Sequence, residues 1–134
     1  MKTYVFDASA LFGFLQTKPG ANKVNELLKN ALRGRADILM SAVNYGEVYG
    51  GIPSRTWPGP SGGNNERCDP LPIRLIDATP QGAFRAADVN SKYKLYYVDS
   101  FAAALAIEYE ATLVTSDSDF RRLGHGFPTV WLKA

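Results

Sequence analysis

Short apolar runs alternate with amphipathic stretches along most of the chain. Thr3 to Phe6 is brief and rich in β-formers, and predicts a buried strand. Ser9 is placed to cap a helix from Ala10 to about Leu15, and Pro19-Gly20 then breaks the chain. Val24, Leu27, Leu28, Ala31 and Leu32 recur at helical spacing, predicting a second helix that Arg33-Gly34 ends. Ile38 to Met40 reads as a strand, with Ser41 placed to cap the helix that carries Glu47. Ile73 to Ile76 predicts a third strand, edged by Pro70 and Pro72. Thr79-Pro80 predicts a helix start, with the helix running to about Lys92. Tyr96-Tyr97-Val98 reads as a strand handing over to the alanine-rich helix Phe101 to Tyr109, whose small residues suit close packing on a sheet. Thr112 to Thr115 and Val130 to Leu132 complete the strands. Strand and helix alternate throughout, which predicts an α/β sandwich with a mostly parallel sheet of about five strands.

One segment breaks the order. Residues 50–72 read GGIPSRTWPGPSGGNNERCDPLP, with five prolines, five glycines and almost no apolar periodicity. Neither helix nor strand is expected there. A loop of that length inside a compact domain is usually functional or disordered. Trp57 is its large apolar anchor, placed to pin the loop or to meet a partner.

Composition narrows the classes. With 134 residues the chain is expected to be one domain that buries a real core. The formal charge of +2 does not by itself announce a nucleic-acid binder. Cys68 is the sole cysteine, which excludes a disulfide framework and a cysteine-based metal site. No apolar stretch approaches the roughly 20 residues that span a bilayer, so a cytoplasmic, reducing environment is the simplest expectation. His125, the sole histidine, lies between two glycines and reads as a surface turn residue rather than a ligand.

Acidic residues are placed less evenly than the charge suggests. Asp7 follows Tyr4-Val5-Phe6, Asp99 follows Tyr96-Tyr97-Val98, Asp117 follows Leu113-Val114 closely, and Glu47 lies in the helix after Ile38-Leu39-Met40. In open α/β sheets ligands bind beyond the carboxyl ends of the strands. Carboxylates gathered there repel one another and either take up protons or bind a cation. An oxygen-only cluster favours a hard divalent ion such as Mg²⁺ or Mn²⁺, and so phosphate chemistry. If negative charge concentrates in one place, the remaining surface is more basic than the net value. Candidate patches are Lys29, Arg33 and Arg35, the pair Lys92 and Lys94, and Arg121-Arg122.

Four blocks then resemble a known family. Phe6-Asp7-Ala8-Ser9-Ala10-Leu11, Ser41-Ala42-Val43-Asn44-Tyr45-Gly46-Glu47-Val48, Val98-Asp99-Ser100-Phe101-Ala102-Ala103-Ala104 and Thr115-Ser116-Asp117-Ser118-Asp119-Phe120 look like the signature blocks of PIN-domain ribonucleases. Their order and spacing are similar to the VapC-type toxins of toxin–antitoxin pairs. The resemblance implies a single PIN-like domain over residues 1–134, a three-layer sandwich. It implies a metal-dependent endoribonuclease, with Asp7, Glu47, Asp99 and Asp117 as the catalytic carboxylates and Asp7, Asp99 and Asp117 as ligands of Mg²⁺ or Mn²⁺. Ser9, Asn44, Thr115 and Asp119 would support them. Water activated by one or two such ions would attack an RNA phosphorus in line, leaving a 5′-phosphate and a 3′-hydroxyl. Structured RNA such as tRNA is the implied substrate and a cognate antitoxin the implied partner. From the residues, Arg121, Arg122 and Arg55 are the candidate RNA contacts.

The chain departs from the family at residues 50–72, where VapC-like proteins continue an amphipathic helix that helps form the dimer and antitoxin surfaces. A pair of compensating frame changes in the gene would produce such a switch, sparing the acidic site while leaving both a homodimer and antitoxin binding open. A purpose-built RNA-contacting loop carrying Arg55, Trp57 and Arg67 is the rival explanation. Among other functions, a haloacid-dehalogenase-type phosphatase would need a second Asp where Ser9 stands, and a receiver domain an acidic pair near its N-terminus. The remaining alternative is a decayed or sequestered PIN domain that binds RNA or a protein partner without cutting.

Overall fold

The structure is a computed structural model that describes residues 1–51 and 71–134. A five-stranded sheet forms its middle layer: β1 (Lys2–Phe6), β2 (Ala36–Ser41), β3 (Arg74–Ile76), β4 (Thr112–Thr115) and β5 (Thr129–Trp131). The strand order is β3-β2-β1-β4-β5 and every pairing is parallel. β1 is central, and the chain winds first to one side of it and then to the other. The switch point therefore falls between β1 and β4, where open parallel sheets form their ligand crevice.

Alternation along each strand sends residues to two separate cores. Val5, Leu39 and Leu113 face α4 (Pro80–Tyr93) and α5 (Tyr97–Glu108), together with Phe120 and Leu123 of a 3₁₀ helix, Ser118–Leu123. Phe6, Ile38, Met40 and Val114 face α1 (Ala8–Leu15), α2 (Ala21–Leu32) and α3 (Ala42–Gly51). The expected α/β sandwich, three layers deep, is the observed one. α5 is buried continuously from Ser100 to Ala106, because its alanines let it lie between the sheet and α4.

Local signals placed most boundaries. Thr79 caps α4, its hydroxyl accepting from the Gly82 N–H at 3.0 Å, and Pro80 is the first helical residue. Gly34, at φ 72°, closes α2. The Ser41 hydroxyl accepts from the Val43 N–H at 3.2 Å, holding the start of α3.

Three expectations are corrected. Asp7, rather than Ser9, caps α1, since its carboxylate reaches the Ala10 N–H at 3.0 Å while Ser9 turns back toward it. Tyr96-Tyr97-Val98 is no strand. Only Lys94, Leu95 and Tyr96 separate α4 from α5, and the Ser100 N–H already bonds the Tyr96 carbonyl in helical fashion. So short an apolar run does not distinguish a strand from a helix start. Finally, α3 extends through Gly50 and Gly51, beyond the expected break. Gly51 permits this packing, because a Cβ there would lie 2.7 Å from the Phe12 ring. Arg55, Trp57, Arg67 and Cys68 lie outside the described residues.

Candidate active site

Asp7 directly follows β1 and is 4% exposed. Its carboxylate accepts from the Ser9 hydroxyl at 2.7 and 2.9 Å, from the Thr115 hydroxyl at 2.6 Å and from the Ala10 N–H. The Ser9 hydroxyl accepts in turn from the Ser116 N–H at 3.0 Å, and the Thr115 hydroxyl from the Asp117 N–H at 2.9 Å. The switch point between β1 and β4 is thus closed by a polar network that fixes one carboxylate. Burial pushes the Asp7 carboxyl up to about 7, against the lowering effect of its hydrogen bonds, and the Asp117 charge raises it further.

Asp117 caps the 3₁₀ helix, accepting from the Asp119 N–H at 2.9 Å. Asp99 sits in the first turn of α5. Its carboxyl is pushed up to about 6, first by burial and then by the charges of Asp117, Glu47 and Asp119. Glu47 comes from α3, and Asn44 one turn earlier ties it down. The buried Asn44 amide donates to Glu47 Oε1 and to the Val98 carbonyl, both at 3.0 Å. The fold therefore brings Asp7, Glu47, Asp99, Asp117 and Asp119 from four regions of the chain to one edge of the sheet. Ser9 and Thr115 bond the Asp7 carboxylate, and Asn44 bonds Glu47.

The candidate arginines separate. Arg121 stacks on the Trp131 ring, 4.6 Å from its centroid, whereas Arg122 donates to the Lys94 carbonyl at 2.8 Å and secures the end of α4. Arg55 lies outside the described residues. Nothing local in the chain singles out Trp131. Its neighbourhood arises from the pairing of β5 with β4, which no local pattern reports.

The donor set has the chemistry of a divalent-cation site. All its members are hard oxygens, and the repulsion on Asp99 is what a cation relieves. Among the described residues the buried Asn44 amide oxygen meets no hydrogen-bond donor, an orphan acceptor beside Glu47 of the kind a bound water satisfies. The residues fit such an ion in kind. Among the described residues, however, no three acidic, histidine or cysteine side chains converge closely enough to hold one as they stand. Glu47 is exposed, and Asp99 and Asp117 are half-buried.

The PIN-domain family model matches residues 4–126. The chain belongs to the PIN-domain family. Nuclease activity is general in that family, and its members generally use divalent metal ions. The PIN domain is similar to a DNA-bound VapBC complex from Salmonella typhimurium at 16% identity and a TM-score of 0.69, covering 97% of this chain and 98% of that one. It is similar to a VapBC complex from Rickettsia felis bound to promoter DNA, at 17% identity and a TM-score of 0.64, covering 98% and 99%. It also matches a toxin–antitoxin complex from Klebsiella pneumoniae at 21% identity and a TM-score of 0.63, covering 95% of each chain. No curated protein matches it significantly by sequence. Among the described residues no helix is long and apolar enough to cross a membrane.

Proposed function

We propose that this PIN domain is a Mg²⁺- or Mn²⁺-dependent endoribonuclease and the toxin of a VapBC-type pair. The observation that carries this reading is the crowding of carboxylates: Glu47, Asp117 and Asp119 add to burial in raising Asp99, and Asp117 also acts on the buried Asp7 at the switch point. Asp7, Asp99 and Asp117 would hold the ion, with Glu47 completing the acidic set. When bound, the ion supplies an activated water and neutralises charge on the phosphoryl oxygens. Ser9 and Thr115 keep Asp7 in one orientation through hydroxyl bonds, so that it meets a ligand without rotamer loss. Asn44 keeps Glu47 turned toward α5. A structured RNA such as tRNA is the proposed substrate. The structural neighbours that are toxin–antitoxin complexes support a cognate antitoxin as partner. A single domain over residues 1–134 remains part of this reading.

The non-cleaving alternative draws on one observation, that the carboxylates are not already drawn into a ligand set. One experiment separates the two. A pool of structured RNAs is incubated with the protein in Mn²⁺ or Mg²⁺, then in EDTA, beside Asp99→Asn. Cleavage that needs metal and is lost in the variant is expected. A folded protein that binds metal and leaves the RNA intact would establish the alternative.

A further inference from the structure

A crevice lined by carboxylates repels the phosphates of a nucleic-acid strand, so affinity has to come from cations and stacking surfaces beside it. The carboxyl end of β5 offers both. Thr115 pairs with Trp131, and Asp7 and Thr115 are the next residues after the Phe6–Val114 pair. Asp7, Thr115 and Trp131 thus form one row across three adjacent strands. They share a face of the sheet, since Val5 and Leu113, two residues earlier, both enter the α4–α5 core. Two strand spacings put Trp131 about 10 Å from Asp7 along the sheet edge.

Trp131 is 40% exposed, and the Arg121 guanidinium stacked on it is exposed too. Among the described residues Arg121 forms no ion pair, although Asp117 and Asp119 shortly precede it. Gly124, at φ 93°, turns the chain after the 3₁₀ helix, and the Phe127 N–H closes the turn on the Gly124 carbonyl at 3.2 Å. His125 and Phe127 are thereby brought against Arg121 and Trp131, and together with Gly124 these residues line a cavity of about 280 Å³. An indole face, a guanidinium without a carboxylate and an imidazole converge there, one strand away from the Asp7–Thr115 network.

We propose that this cavity is a nucleotide subsite for single-stranded RNA. The base next to the scissile phosphate stacks on Trp131, while Arg121 and His125 meet its phosphate. The proposal rests on the ribonuclease reading only for where the scissile phosphate lies. A guanidinium already stacked on the indole is preorganised to hold a phosphate at the ring's edge.

The test uses RNA binding without cleavage. The chain has two tryptophans, so Trp57→Phe leaves Trp131 as the sole indole reporter. A short single-stranded oligoadenylate is titrated in EDTA, and quenching of Trp131 fluorescence is expected. Trp131→Ala should weaken binding about 5- to 150-fold, the range for losing one stacked base, and Trp131→Phe should restore most of it. Arg121→Gln should weaken binding and lower the salt slope by about one. Because Trp131→Ala risks loosening β5, the quench and the Arg121→Gln slope stand as independent readouts. Absent quenching, or unchanged affinity and slope in folded variants, would overturn the subsite. Equal quenching by polyglutamate would overturn it too, in favour of a peptide surface. Binding lost in the variants of a protein that never cleaves RNA would sustain the subsite and defeat the nuclease reading. Cleavage by a protein whose RNA binding ignores Trp131 and Arg121 would do the reverse.

Discussion

Asparagine in place of Asp7 should stabilise the metal-free protein, by an amount that depends on pH. The folded-state carboxyl titrates near 7 rather than at 3.8. With the folded value raised, its stabilising contribution is complete below about pH 4 and is lost as pH rises through 7. The shift of roughly three units, at about 1.4 kcal/mol each, amounts to about 4 kcal/mol by pH 8. Asparagine escapes that cost and still bonds each present partner of the carboxylate. Its Oδ1 accepts from Ala10, while its Nδ2 donates to the Thr115 hydroxyl, which donates to Ser9, which donates back to Oδ1. Each hydroxyl still accepts the backbone N–H it holds now. Urea unfolding in EDTA should therefore give the two proteins stabilities within about 1 kcal/mol at pH 4.5, with Asp7→Asn ahead by about 4 kcal/mol at pH 8. Asp99, raised in the same direction, contributes to the pH slope of both proteins and cancels in the difference. Mn²⁺ should narrow the gap at pH 8 by favouring the charged wild-type site. A gap that stays constant from pH 4.5 to 8, or a variant less stable at pH 8, would refute the account of Asp7 as a buried carboxylate under strain from its own charge.

Two further substitutions probe how the site is held. Asn44→Ala leaves the Val98 carbonyl without its side-chain donor and should cost about 1–3 kcal/mol in chemical denaturation, and it should also slow RNA cleavage by freeing Glu47; full stability and rate would show that Asn44 positions nothing. Gly20→Ala would place a Cβ 2.9 Å from the Lys133 carbonyl oxygen and 3.0 Å from Leu132 Cβ, so a loss of about 1–3 kcal/mol in thermal unfolding is expected. Gly46→Ala, with nothing within 4 Å among the described residues and a helical backbone, should instead gain about 0.5–1 kcal/mol, and equal effects at the two glycines would contradict the packing described.

The chain by itself determined its elements and the residue types at its site. Helix starts and stops are local events: Thr79-Pro80 supplies a cap and a fixed φ, and Gly34 a left-handed turn, whatever surrounds them. The acidic blocks were legible because each sits at an element boundary. Where local signals were ambiguous, tertiary structure decided. Tyr96-Tyr97-Val98 suits a strand or a helix start equally, and in the fold Tyr97 opens α5, which packs on α4 and the sheet. Two candidate caps for α1 differed only in reach, and the neighbouring strand decided between them, because Thr115 and the Ser116 N–H draw the Ser9 hydroxyl into the Asp7 network. Arg121 and Arg122 are adjacent in sequence yet serve different neighbours, an indole on β5 and a carbonyl at the end of α4. That division follows from strand order and register, which depend on contacts between residues distant in the chain. The same is true of the carboxylates: the sequence supplied their chemistry, but only parallel pairing around β1 brought them close enough to repel one another.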